Sequence, residues 1–224
     1  MDQEVAKLKE MMTEVEITKA ASMEFYKGKL NGTEAVVVRA GVGKVNAACC
    51  TQALIDHFPV SCVINTGIAG SLQASIDIGD IVLATDALEH DMDAVSFGYD
   101  LGQIPGMEVF SFIADEKLRK IAKEGCEKVN PDISVHEGRV VTGDQFVSSK
   151  EKKSWLVDHF DGCCTEMEGA AIAHVAYLNQ IPFLIVRAIS DKADDSAHMD
   201  YPTFEAKAIE HSVRLITEMA GRLA

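Results

Sequence analysis

The chain has 224 residues, with 21 basic against 35 acidic side chains and a formal charge of −14 at pH 7. At 47% hydrophobic and 25% charged residues it can bury a large core, so disorder is excluded, and the acidic balance argues against nucleic acid, whose phosphates call for a basic face. No apolar run approaches the roughly 20 residues that cross a bilayer, and Met1-Asp2-Gln3-Glu4 carries acid where a secretory leader carries Lys or Arg, so a single cytoplasmic domain over 1–224 with no membrane partner is expected.

In chain order, Val5, Leu8 and Met12 stand at helical spacing and predict a helix over 3–12. Runs 22–30 and 33–40 flank Asn31-Gly32, a hairpin signal. Gly41-Val42-Gly43-Lys44 then leads into an apolar helix over 45–58, stopped by Pro59. Strands are predicted over 61–65, 80–85, 135–141, 162–166 and 183–189, with a turn over 66–71. Helices are predicted over 115–129, 169–180 and 201–223. Alternation of this kind specifies an α/β fold: a single-domain, mixed but mostly parallel sheet flanked by helices on both faces. In open sheets of that class the site lies beyond the carboxyl ends of the strands, which directs attention to the residues after Asn65, Val141, Thr165 and Ile189.

Cys49-Cys50 and Cys163-Cys164 are adjacent pairs, Cys62 and Cys126 stand alone, and no C-x-x-C occurs. Free, buried thiols in a reducing compartment fit this pattern better than disulfides or zinc. His90-Asp91-x-Asp93 and His198-Met199-Asp200 contain metal-ligand types but no recognised spacing, so no metal and no cofactor is expected. His174, inside a predicted helix, reads as core or dimer packing.

Three groups of residues at the strand ends carry chemistry. Gly41-x-Gly43 and Gly67-x-x-Gly70 allow close approach of backbone to a ligand, although G-V-G-K lacks the spacing of a phosphate loop. Glu166-Met167-Glu168 closes one strand, where a period of two would put both glutamates on one face. Ser190-Asp191 closes the next, ahead of Asp194 and Asp195. A cleft carboxylate with apolar neighbours has a raised pKa and can then act as an acid near neutral pH.

The string Val63-Ile64-Asn65-Thr66-Gly67-Ile68-Ala69-Gly70-Ser71-Leu72, followed by Ile78-Gly79-Asp80-Ile81-Val82, resembles the nucleoside phosphorylase/hydrolase superfamily. The segments at 96–106 (S-F-G-Y-D-L-G-Q-I-P-G), 141–147 (V-T-G-D-Q-F-V), 165–176 (T-E-M-E-G-A-A-I-A-H-V-A) and 187–194 (R-A-I-S-D-K-A-D) are similar to the bacterial 5′-methylthioadenosine/S-adenosylhomocysteine nucleosidase family, over the whole chain. The resemblance implies hydrolysis of the N-glycosidic bond of a nucleoside substrate, within methionine salvage. It implies Asp191 as the acid that protonates N7 of adenine, supported by Ser190, and Glu4 as the group that activates water. It also implies Glu168 on the ribose hydroxyls with Met167 against the sugar, and Glu166 and Arg187 lining the same region. Phe146 and Val147 would form the adenine pocket, and Val42, Ile68, Ala69, Gly70 and Tyr201 would complete the substrate site. Phe97 and Pro105 would lie in a loop crossing a homodimer interface to cover the partner's 5′-thio pocket.

Two departures from the family pattern stand out. Family members begin with a short apolar strand ending in Gly-Ala just ahead of the segment matching Met1-Asp2-Gln3-Glu4, so the fold expected here lacks that strand. Ile68 stands where several relatives carry Ser. The nearest rivals are a phosphorylase, which would need arginines on the glycine loops where only Lys44 is found, a futalosine hydrolase, and a catalytically silent nucleoside-binding protein.

Overall fold

Polar and apolar residues alternate over Glu14-Val15-Glu16-Ile17-Thr18, and in the computed structural model, which describes residues 2–223, the stretch from Met12 is a strand rather than a continuation of the first helix. Met1 and Ala224, the ends of the expected domain, lie outside the described residues. Helix α1 (Asp2–Glu10) is followed by β1 (Met12–Ala20), β2 (Met23–Leu30) and β3 (Thr33–Val38), which pair antiparallel in that order. Asn31 and Gly32 both have positive φ (48° and 86°), as a tight hairpin turn requires. β1 goes beyond the elements read from the sequence. Its turn, Ala21-Ser22, takes similar angles (47° and 62°) without the Asn or Gly that would announce it.

The rest of the chain runs α2 (Lys44–His57), β4 (Val63–Ser71), β5 (Ile81–Glu89), β6 (Phe112–Ile113), α3 (Glu116–Val129), β7 (Val135–Thr142), α4 (Lys150–Phe160), β8 (Cys164–Glu166), α5 (Gly169–Leu178), β9 (Phe183–Asp191) and α6 (Ala197–Arg222). The strand order is β6-β5-β7-β8-β4-β9, and β9 returns to pair with β5 through Ile81 opposite Ala188. The long ladders are parallel, as expected: β4 with β9 and β5 with β7. The sheet is not open, however. The β5–β9 pairing closes it into a small barrel, and β9, flanked by β4 and β5, is buried at every residue. A ring this narrow leaves no room for helices inside, so they pack around it, α5 against β7 and α6 against β9.

Residues 66–71 are strand rather than turn. Their glycines serve close side-chain approach: a Cβ on Gly67 would fall on the guanidinium of Arg187, and one on Gly70 would lie 2.7 Å from Asp191 Oδ1. α4 also goes beyond the sequence reading. Its cap is local, with the Ser149 hydroxyl accepting the Lys152 N–H at 3.2 Å, but the following K-E-K-K run hides its apolar face.

Register gathers the strand ends. Thr142 pairs with Glu166, and Gly70 with both Thr165 and Asp191, so β4, β7, β8 and β9 deliver their last residues to one place. Because β4 meets β8 only at Gly70 and Ser71, its Val63–Gly67 stretch instead faces β3 across a cleft of about 620 Å³.

Candidate active site

A cavity of about 370 Å³ opens at these strand ends. Asp191, the last residue of β9, is 2% exposed. Its Oδ2 accepts the Ser190 hydroxyl at 2.9 Å and its Oδ1 the Ala193 N–H at 2.8 Å. Burial raises its carboxyl above the ordinary aspartate value, outweighing those two hydrogen bonds, and Asp200 and Asp194 push the same way. A carboxyl so placed can hold a proton and donate it into the cavity.

Glu168 lines the same cavity. β8 ends at Glu166, so Glu168 is the residue before α5 rather than part of a strand, and the two glutamates do different work. Glu168 Oε1 accepts the N–H of Gly43 at 2.9 Å, from the glycine loop ahead of α2. Burial raises its carboxyl, against the pull of Arg187. Glu166 is spent on structure: it accepts the Gly169 N–H at 2.8 Å and the Glu168 N–H at 3.0 Å, and binds the Thr142 hydroxyl and Arg187. Those N–H groups belong to the start of α5, so Glu166 caps that helix.

Arg187 is 2% exposed and holds Glu166 and Asn65, with Glu168 4.0 Å away. Phe146 and Val147 line the cavity wall opposite β4, and the loop carrying them meets the start of α6. The Phe146 ring packs on His198 at 5.1 Å and takes Tyr201 edge-on at 6.0 Å. Burial, then Glu205, pushes the Tyr201 hydroxyl up to about 12, so it remains a neutral donor. Val42, Ile68, Ala69, Gly70, Met167 and Ser190 complete the lining expected from the sequence.

Three expected residues lie elsewhere. Glu4 lines the neighbouring β3–β4 cleft, which shares Val42, Glu168 and Arg187 with the Asp191 cavity, so the two spaces adjoin. Phe97 and Pro105 are exposed and absent from the lining of their own chain's cavity. Gln145 and Thr165 line it beyond the residues singled out, although Gln145 sits inside the 141–147 motif.

Lys44 points neither to solvent nor into the cavity. It binds Glu89 at 2.9 Å and Asp91 at 2.7 Å, and these bonds outweigh burial to raise its pKa. His174 approaches the same Glu89 at 3.8 Å and stacks on Phe112. The glycine loops themselves carry no arginine. Arg39, just before them, and Arg187 both line the β3–β4 cleft, so two arginines stand nearer than the loop residues alone suggested. Burial raises the thiols of Cys50, Cys163 and Cys164, and all six cysteines are free. Among the described residues, no group of three or more His, Cys, Asp or Glu side chains is placed to hold a metal ion.

The profile of the phosphorylase superfamily matches residues 1–220. A 5′-methylthioadenosine/S-adenosylhomocysteine nucleosidase of Exiguobacterium is 39% identical over 224 residues, spanning 100% of this chain and 95% of that protein. The crystal structure of the nucleosidase of the same name from Neisseria meningitidis, in complex with methylthio-immucillin-A, superposes with a TM-score of 0.95 at 37% identity, covering 99% of this chain and 96% of that one. A futalosine hydrolase of Helicobacter pylori superposes with a TM-score of 0.93 at 33% identity, covering 99% and 94%.

Proposed function

This chain belongs to the phosphorylase superfamily and within it to the 5′-methylthioadenosine/S-adenosylhomocysteine nucleosidases, and from that membership we propose how its cavity works. It is an N-glycosidic hydrolase, releasing adenine from 5′-methylthioadenosine and S-adenosylhomocysteine. The observation that carries the mechanism is the buried Asp191 carboxyl, whose pKa burial raises and which lines the cavity together with Glu168.

In this reading Phe146 stacks on the purine and Asp191 donates its proton to N7. The C1′–N9 electron pair then leaves with a neutral base rather than an anion. The sugar becomes oxocarbenium-like, and Glu168, accepting the ribose hydroxyls, favours the growing positive charge. Water attacks C1′ as the bond breaks, and its surplus proton passes to Glu4. Val147 presents backbone to the base edge, while Met167 and Tyr201 enclose the sugar and its 5′ substituent.

We further propose that 5′-deoxyadenosine is accepted, since it keeps the purine and the ribose hydroxyls that Phe146, Val147, Asp191 and Glu168 address in this reading. The reaction then serves methionine salvage, in the cytoplasm, where reducing conditions suit six free thiols. A homodimer fits the solvent-facing apolar side chains Val45, Phe97 and Ile113, exposed by 74%, 85% and 71%. In that dimer Phe97 and Pro105 reach the partner's site.

The test is the nucleophile. Adenine release from methylthioadenosine proceeds in phosphate-free buffer and yields free methylthioribose. Methylthioribose 1-phosphate formed only when phosphate is added would overturn hydrolysis and give Arg39 and Arg187 an anion to hold.

A further inference from the structure

Glu4 is carried by α1, yet what meets its carboxylate comes from two other elements. The Thr66 hydroxyl, in the middle of β4, donates to Glu4 Oε1 at 2.6 Å, and the Ser212 hydroxyl, on α6, donates to the same oxygen at 2.7 Å. The two hydroxyls also touch each other, so three oxygens share two hydroxyl protons in a closed triangle. Glu4 is 1% exposed and Ser212 fully buried, so water does not compete for these bonds.

Each donor sits on a rigid support. Thr66 lies opposite Val186 in the parallel β4–β9 ladder. Ser212 lies in a stretch of α6 locked by Ile209 and Val213, which pack with Leu8 of α1 in one apolar cluster. A glutamate has three rotatable bonds, and α1 alone leaves its carboxylate free to turn. The strand and the long helix remove that freedom at the wall of the β3–β4 cleft, which adjoins the Asp191 cavity through Val42, Glu168 and Arg187.

We propose that Thr66 and Ser212 are a positioning pair for Glu4, holding its carboxylate in the orientation in which it takes the proton from the attacking water. The inference rests on the reading of Glu4 as the water-activating group, and its test separates the two. Positioning acts on the chemical step more than on substrate binding. Ser212→Ala and Thr66→Ala are each expected to lower kcat by roughly ten- to a hundredfold, with KM within about threefold of wild type. Ser212→Thr and Thr66→Ser, which restore a hydroxyl, are expected to recover most of that loss.

Glu4→Gln, measured alongside, is expected to lower kcat by at least about a hundredfold. In the Glu4→Gln background Ser212→Ala should cost nothing more, because a positioning residue has no work left once the positioned group is gone. Melting temperatures identify any variant that fails to fold, and the Thr66 variants, being on a different element, then carry the test. An equal Ser212→Ala loss in both backgrounds, or a loss confined to KM, overturns the positioning pair. So does full kcat in both alanine variants while Glu4→Gln collapses, and that result leaves the role of Glu4 standing. Full turnover by Glu4→Gln removes the reading of Glu4 itself, and the pair with it.

Discussion

At the scale of single residues, the proposed mechanism turns on a proton carried by Asp191. Burial raises its pKa from the ordinary 3.8, so the neutral form contributes stability that is complete below that ordinary value and is lost as pH rises through the folded pKa. Activity has the same sign: turnover should fall on the alkaline side as the acid loses its proton. Asp191→Asn keeps the shape, since the amide oxygen can accept from Ala193 N–H and the amide nitrogen can donate to the Ser190 hydroxyl. Turnover is expected to drop by about a hundred- to ten-thousandfold, with nucleoside binding retained. Since the variant has no buried carboxyl to ionise, its melting temperature at pH 8 should be no lower than wild type. Near-normal turnover by Asp191→Asn would remove Asp191 as the acid. Residue types made this group legible in advance, because an acid closing an apolar strand is visible without coordinates. That Glu166 also caps α5 was not legible, because it depends on where β8 stops and α5 begins.

At the scale of elements, β4 shows how a strand serves a site by what it omits. Gly70 lets Asp191 and Ala193 lie against its backbone: a Cβ there would stand 2.7 Å from Asp191 Oδ1 and 2.8 Å from the Ala193 Cβ. Gly70→Ala is therefore expected to cost about 1–3 kcal/mol through overpacking and to cut kcat by roughly ten- to a hundredfold by displacing the acid. Thermal melting and steady-state kinetics check the two effects, and an Ala variant with unchanged kcat would mean that Asp191 tolerates the shift. The same strand explains why 66–71 reads as a turn. Glycine is common in turns for its free φ, but these glycines are chosen for the side chains that cross them. β1 escapes a sequence reading for the converse reason, since Ala21-Ser22 adopts turn angles that neither residue advertises.

At the scale of the whole molecule, strand register and closure of the β5–β9 seam bring several strand ends to one cavity, while Phe97 and Pro105 are exposed and do not line it. If that loop completes the partner's site, two defective chains can repair each other. Asp191→Asn supplies a sound loop, and Phe97→Ala supplies a sound acid. After subunit exchange at equal concentrations, about a quarter of the sites pair a sound acid with a sound loop. Activity of the mixture should rise toward that fraction, above either parent. A mixture no more active than the mean of its parents would show that the loop does not act across an interface.

The sequence by itself determined the fold class, the family and the chemical types in the site, because apolar periodicity and short motifs are local properties that survive without coordinates. Asp191 and Glu168 were visible as carboxylates at strand ends, and Phe146 and Arg187 through the family resemblance of their motifs. The tertiary structure alone decided that the sheet closes, that Lys44 is committed to Glu89 and Asp91, and that Thr66 and Ser212, 146 residues apart, meet on Glu4. These are contacts between distant segments. A hydroxyl carries no mark in the sequence of the carboxylate it will meet, because that pairing is set by strand register and helix packing.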